Sequence, residues 1–289
     1  MENILFGLIP AFMWGIQPLV MTRLGGRPTR KVMGMALGIF LASLLVFFFR
    51  RPENLTWSLV VWSFVDGLAL SYGLINQIRG LYILGVSKGT PISTGSQLVG
   101  AALIGAIYFK EWTSLNQYVL GITALVLIIL GVSMTAFEEK EGAGGTGDRR
   151  KGILSLLLSS LGFVAYTVIL RVTDISIWDA LVFQGLGMLV GSYFLSIKEE
   201  EGSLFTRETW SHIITGLIFA MGNISLMLSN VRNGLALGFT LTQMNVVIAT
   251  LGGLLFLREE KTKKELFLTL LGLVLVVLGG VLIGITKKG

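Results

Sequence analysis

Runs of about twenty apolar residues recur along this chain from near Met1 to the last residues. Each is long enough to cross a hydrocarbon core of roughly 30 Å as a helix. Only 14% of the 289 residues are charged, 53% are hydrophobic and the mean hydropathy is +0.77. Soluble domains carry about 25% charged residues. Inside lipid every backbone polar group must be bonded within the protein. Runs of this length, without period-two alternation, therefore predict helices rather than a barrel. The 37 glycines suit helices that pack closely in a membrane.

Ten spans are predicted, at roughly 3–22, 32–49, 56–79, 90–109, 115–137, 152–171, 176–197, 209–231, 234–257 and 264–286. The first lacks a basic leading region and a small-residue cleavage site, so it reads as a retained helix rather than a signal peptide. The longest connection, 138–151, is charged and glycine-rich, which is a linker composition. It divides the chain into residues 1–137 and 152–289, with five spans in each.

The two parts share a register. At an offset of 148, Thr94 meets Thr242, Gln97 meets Asn245, Ala101 meets Ala249, Gly105 meets Gly253 and Glu111 meets Glu259. The match runs without a gap to Leu130-Gly131 against Leu278-Gly279. At an offset of 149, Gly67-Leu68 and Gly73 meet Gly216-Leu217 and Gly222. A repeat with an odd number of spans enters the membrane the opposite way the second time. Two five-span repeats therefore predict an inverted-topology arrangement, an organisation common in secondary transporters. The expected fold is all-α and polytopic, with ten transmembrane helices as two inverted five-helix repeats.

Lys and Arg set orientation. With the N-terminus inside, seven of the 23 fall inside (Arg50, Arg51, Lys110, Arg171, Arg232, Lys287, Lys288) and 16 outside. The reverse is preferred, with both termini extracellular and a cell-membrane location. The net charge of +6 is then a matter of orientation, and no nucleic-acid partner is implied.

Polar residues within the spans are the candidate site. Pro10 and Pro18 flank Trp14 and Gln17. Proline frees helix carbonyls and often marks a kink beside a cavity. Trp14 lies too deep for an interfacial belt, and reads either as a packed aromatic or as a flat platform for a ring. Asp66 is the ionisable residue nearest the middle of any span. A carboxylate there costs about 2.5–3.5 kcal/mol on insertion scales and usually marks a pathway or a proton relay. It reads as a solute acceptor, as a proton-coupling residue, or as a structural hydrogen-bond partner. Helical spacing puts Leu70, Gly73 and Gln77 on its face. Ser93 and Gln97 stand one turn apart, Asn223 and Asn230 two turns apart, and Thr242, Gln243 and Asn245 cluster in the ninth span. Gln184 is a further lone amide. Amides and hydroxyls both donate and accept, which suits a neutral polyol. Each is also common packing glue between membrane helices.

The chain has no cysteine and a single histidine, His212. Thiol chemistry and a multi-histidine metal site are excluded. No nucleophile with a partner base and no phosphate-binding loop is present, so no enzyme, cofactor or metal is expected.

At PAFMWG (10–15), GVSKGTPISTGSQLVG (85–100), KEW (110–112), QGLGM (184–188), GLIFAMGN (216–223) and TQMNVVIATLGG (242–253) the chain resembles the bacterial glucose/ribose porter family. That family belongs to the drug/metabolite transporter superfamily. The resemblance implies monosaccharide uptake with proton coupling. It would make Trp14 a stacking platform, and Gln17, Gln77, Ser93, Gln97, Asn223, Gln243 and Asn245 hydroxyl-binding groups. The lining would come from spans 1, 3, 4, 6, 8 and 9. Ile16, Leu70 and Leu74 depart from the family's Ser, Trp and Gln, and Asp66 stands where a small residue is expected. These departures point away from glucose itself. Rival readings are an exporter of drugs, metabolites or amino acids, and a non-transporting membrane sensor or scaffold.

Overall fold

The computed structural model describes residues 2–137, 139, 148–199, 202–233, 241–242 and 244–286. Its helices are α1 (Glu2–Leu24), α2 (Pro28–Phe49), α3 (Trp57–Leu84), α4 (Val86–Ile107), α5 (Leu115–Thr135), α6 (Arg149–Val172), α7 (Ile177–Ile197), the short α8 (Arg207–Ser211), α9 (Ile213–Asn233), α10 (Met244–Phe256) and α11 (Lys263–Thr286). Among the described residues there is no strand.

Among the described residues seven stretches are long and apolar enough to cross a membrane: α2, α3, α5, α6, α7, Arg207–Ser229 and α11. Helices α1 and α4 are of similar length, 23 and 22 residues, but α4 carries Lys88, Thr90, Ser93, Thr94, Ser96 and Gln97 in its first three turns. The expected eighth span is two helices, α8 and α9, joined at His212. Of the expected ninth span, residues 234–240 and Gln243 lie outside the described residues.

The all-helical expectation holds, and α5 shows why. Val119, Ile122, Val126 and Ile129 are about half exposed and form one apolar stripe. The opposite stripe, Gly121, Ala124, Ile128, Gly131 and Thr135, is buried. Such a helix shows bulk to lipid and small residues to its neighbour.

By internal contacts the chain forms two compact units. The first gathers Met1–Leu19, Gly80–Leu157 and Met221–Gly289; the second gathers Val20–Arg79 and Leu158–Ala220.

In the first unit α5 and α11 pack antiparallel. A methyl on Gly131 would meet the Gly272 carbonyl and Val276; a methyl on Gly279 would meet the Ala124 carbonyl and Ile128. Shifting by 148 turns one set of contacts into the other. Both helices start with a capping box. Ser114 Oγ accepts from Gln117 N–H, and Gln117 Oε1 accepts from Ser114 N–H at 3.0 Å. Thr262 and Glu265 repeat the exchange. The box side chains also reach the far end of the partner helix or the residues just past it. Gln117 Nε2 donates to Thr286 O at 3.1 Å, and Glu139 N–H donates to Glu265 Oε1 at 2.9 Å. Leu98, Ala102 and Trp112 fill the space beside Ala124, Ile128 and Ile283.

Helix α4 begins at Val86, ahead of the expected residue 90, and runs through Pro91. Gly85 precedes it at φ +79°, a conformation that suits glycine. The free N–H groups of Val86 and Ser87 donate to Glu259 Oε1 and Oε2 at 2.6 and 2.9 Å. A carboxylate is favourable at a helix N-terminus, both as an acceptor and against the helix dipole. The turns leading to Glu111 and Glu259 match: Glu111 N–H donates to Gly105 O and Glu259 N–H to Gly253 O, after Lys110 and Arg258 at φ 51° and 54°.

In the second unit α7 lies antiparallel to α2 and runs alongside α3. A methyl on Gly185 would meet Ser43 and the Phe40 backbone, and Ser196 Oγ donates to Thr29 O at 3.3 Å. A methyl on Gly67 would strike the Gln184 carbonyl, and one on Gly187 the Phe64 carbonyl. On α2 and α9, a methyl on Gly216 would strike the Met35 carbonyl, and one on Gly38 the Ile213 carbonyl. These are the same pairs shifted by 149.

Candidate functional site

The expected polar residues fall in both units. In the first unit, Trp14 is half-buried with its indole edge against Gly222, where a methyl would strike the ring nitrogen. In the second unit Phe163 lies on Gly73 in the same way. These are the equivalent positions at offset 149, so the Trp14 ring is seated by a glycine that its helix partner supplies. One residue on from Trp14, Gly15 lets α1 approach Ile248 and the Asn245 carbonyl on α10. Trp14, Asn223 and Asn245 are therefore carried by helices that meet around Gly15 and Gly222. Gln17 is buried one turn beyond Trp14.

On α4, Ser93 is fully buried and its hydroxyl accepts from Gln97 Nε2 at 2.9 Å. The sequence placed these two on one face, and they are a bonded pair. Asn245 is half-buried, yet its Oδ1 is shielded from solvent and has no partner among the described residues. Thr90 and Thr250 hydroxyls share that condition. A buried acceptor without a donor costs about 1–3 kcal/mol. Gln243 lies outside the described residues.

In the second unit Asp66 is wholly buried on α3. Gln184 Nε2, from α7, donates to Asp66 Oδ2 at 2.5 Å, while Oδ1 has no partner among the described residues. Ser63, one turn earlier on the same face, is also buried with an unpartnered hydroxyl. Tyr166 of α6 adjoins both Gln184 and Asp66. Gln77 is half-buried on the face predicted. Asn76, off that face, donates to Tyr72 O of its own helix at 2.9 Å.

Sequence reading had Gln184 only as a lone amide and did not single out Tyr166, Ser63 or the capping role of Glu259. Glu259 left a signal in its match to Glu111. Tyr166 left a weaker one: offset 149 places it opposite Gln17.

A polytopic helical membrane protein with polar groups buried inside its helices is the class this structure defines. The chain belongs to the sugar transport protein family, whose model matches residues 5–286. A Listeria monocytogenes protein provisionally named as a sugar uptake protein is 47% identical over 286 residues, covering 99% of this chain and 100% of that one. The glucose uptake protein GlcU of Bacillus subtilis is 39% identical over 287 residues, covering 99% of each. A crystal structure described only as that of a protein shares the fold, with TM-score 0.62 at 16% identity over 99% of this chain and 98% of that one.

Proposed function

We propose that this protein is a secondary transporter that takes up a monosaccharide by alternating access, in symport with protons. The solute class follows from the family and from the uptake relatives. The observation that carries the mechanism is the reciprocal packing. Gly67 on Gln184 against Gly216 on Met35, and Gly131 on Gly272 against Gly279 on Ala124, are the contacts that two inverted five-helix repeats would make. On this reading residues 1–137 and 152–289 are the repeats, ten helices in all, joined by the linker 138–151.

Trp14 stacks on the sugar ring, its face set by Gly222. Asn245 offers an acceptor, the Ser93–Gln97 pair offers both donors and acceptors, and Gln17, Gln77, Asn223 and Gln243 complete the hydroxyl-binding set. Asp66 carries the proton. A protonation change is what a buried carboxyl with one open oxygen can accommodate, and such residues mark proton relays in membrane proteins.

Purified full-length protein in proteoliposomes should take up one of labelled glucose, ribose, galactose or fructose saturably, and faster with an inward proton gradient. Uptake no greater than in empty liposomes for all four would overturn the monosaccharide reading. We place the protein in the cell membrane with both termini outside, on the Lys and Arg count. A cysteine introduced in 138–151 should then be protected from an impermeant thiol reagent in intact cells. Rapid labelling would reverse the orientation.

A further inference from the structure

The contact between Asp66 and Gln184 has a counterpart elsewhere in the same unit. Gly67 lies against the Gln184 carbonyl as Gly216 lies against the Met35 carbonyl, and Gly187 against Phe64 as Gly38 against Ile213. The backbones match at offset 149, but the side chains do not. Asp66 is replaced by Thr215 and Gln184 by Met35. Thr215 turns its hydroxyl onto its own helix, donating to His212 O at 2.8 Å. Met35 is wholly buried. Helix packing alone is therefore satisfied at this junction by a threonine and a methionine. The first copy instead buries an acid and an amide, joins them by a direct hydrogen bond, and leaves Asp66 Oδ1 open.

We propose that Gln184 is a positioning residue for transport: it holds the Asp66 carboxyl on α3 by Oδ2, so that Oδ1 alone is presented for the exchange of the coupling proton. This rests on the reading of Asp66 as the proton carrier. An ionised carboxylate only accepts, so the amide nitrogen of Gln184 faces it, and in the protonated form the hydrogen on Oδ1 leaves Oδ2 able to keep accepting that bond. Tyr166 of α6 is hydrogen-bonded to Gln184 and lies close to Asp66. Among the charged groups of this unit, Arg30 pairs with Glu208, Arg79 with Glu199, and Arg50 lies over the Trp178 ring. Losing the Gln184 bond leaves Asp66 in place but removes a donor that differs in strength toward its two protonation states.

The test uses the full chain in proteoliposomes, with the panel sugar that gives the largest saturable uptake as the probe. Two rates are read: solute exchange without a gradient, and accumulation driven by a pH gradient across a range of pH. One proton per solute gives about tenfold accumulation per unit of gradient. Asp66→Asn should lose that accumulation, and the exchange it retains should no longer vary with pH. Gln184→Met, which installs the counterpart residue, should keep exchange within about twofold and displace the pH profile of accumulation by about one unit. Combined with Asp66→Asn it should add nothing further. Gln184→Asn keeps the amide one methylene short and should displace the profile less, which guards against a folding defect in the methionine variant. Loss of accumulation in Asp66→Asn with unchanged profiles in both Gln184 variants would overturn the role of Gln184 alone. Accumulation by Asp66→Asn equal to wild type would overturn the proton reading itself, and this inference with it.

Discussion

The junction of α3 with α7 and the junction of α2 with α9 are built on the same backbone contacts, yet only one carries an acid and an amide. At the first, Asp66 and Gln184 meet in a hydrogen bond. At the second, Thr215 is satisfied by its own helix and Met35 fills the equivalent place. What the pair teaches is a separation of roles. The glycines set how closely the helices approach, and the neighbouring side chain is then free to serve either packing or chemistry. A buried ion or acid is seldom the most stable solution, and well-packed apolar replacements are often neutral or stabilising. An acid kept at only one of two equivalent junctions is what the proposed proton role of Asp66 requires and what packing there does not.

Moving the chemistry across should break or sharpen the comparison. Thr215→Asp should destabilise the protein by about 2.5–3.5 kcal/mol, because it buries a second carboxyl in the membrane-spanning region. Adding Met35→Gln should return about 1 kcal/mol of this by recreating the Gln184 bond. Thermal inactivation in detergent reads both steps. No recovery in the double variant would show that the two junctions differ in more than side chains. The reverse exchange, Asp66→Thr with Gln184→Met, should be as stable as wild type or more so. A smaller effect is expected from the glycines. Gly67→Ala and Gly216→Ala each press a methyl against a carbonyl and should cost about 1–3 kcal/mol. The equivalence requires the two losses to agree; a tolerated change at one with collapse at the other would end it.

Much of this comparison was legible in the sequence. The apolar runs gave the helices, and the offsets of 148 and 149 gave the pairing of Gly67 with Gly216 and of Glu111 with Glu259. Asp66 stood out because a charge in an apolar run is visible without a fold. Its partner did not, because Gln184 lies 118 residues away and only the packing of α7 on α3 joins them. The start of α4 was misplaced for a similar reason. Proline commonly sits in the first turn of a helix, so Pro91 looked like a beginning. The actual start is set by Gly85 and by a carboxylate 173 residues from Val86. Of the hydroxyl-binding candidates, only Ser93 and Gln97 could be joined from spacing alone, since both lie on one helix.

The antiparallel pair of α5 and α11 also has a history in time. Along the buried stripe of α5, Ala124 and Gly131 approach the backbone of α11, and each capping box reaches the far end of the other helix or the residues just past it. Synthesis separates these partners. At the usual pace of translation, α5 waits on the order of ten seconds before α11 emerges. During that interval Ala124 and Gly131 lack the helix that packs closest to them. The closing step of biogenesis is therefore a reunion of early and late helices, in which Gln117 waits for the end of α11 and Glu265 arrives to meet the chain just past α5.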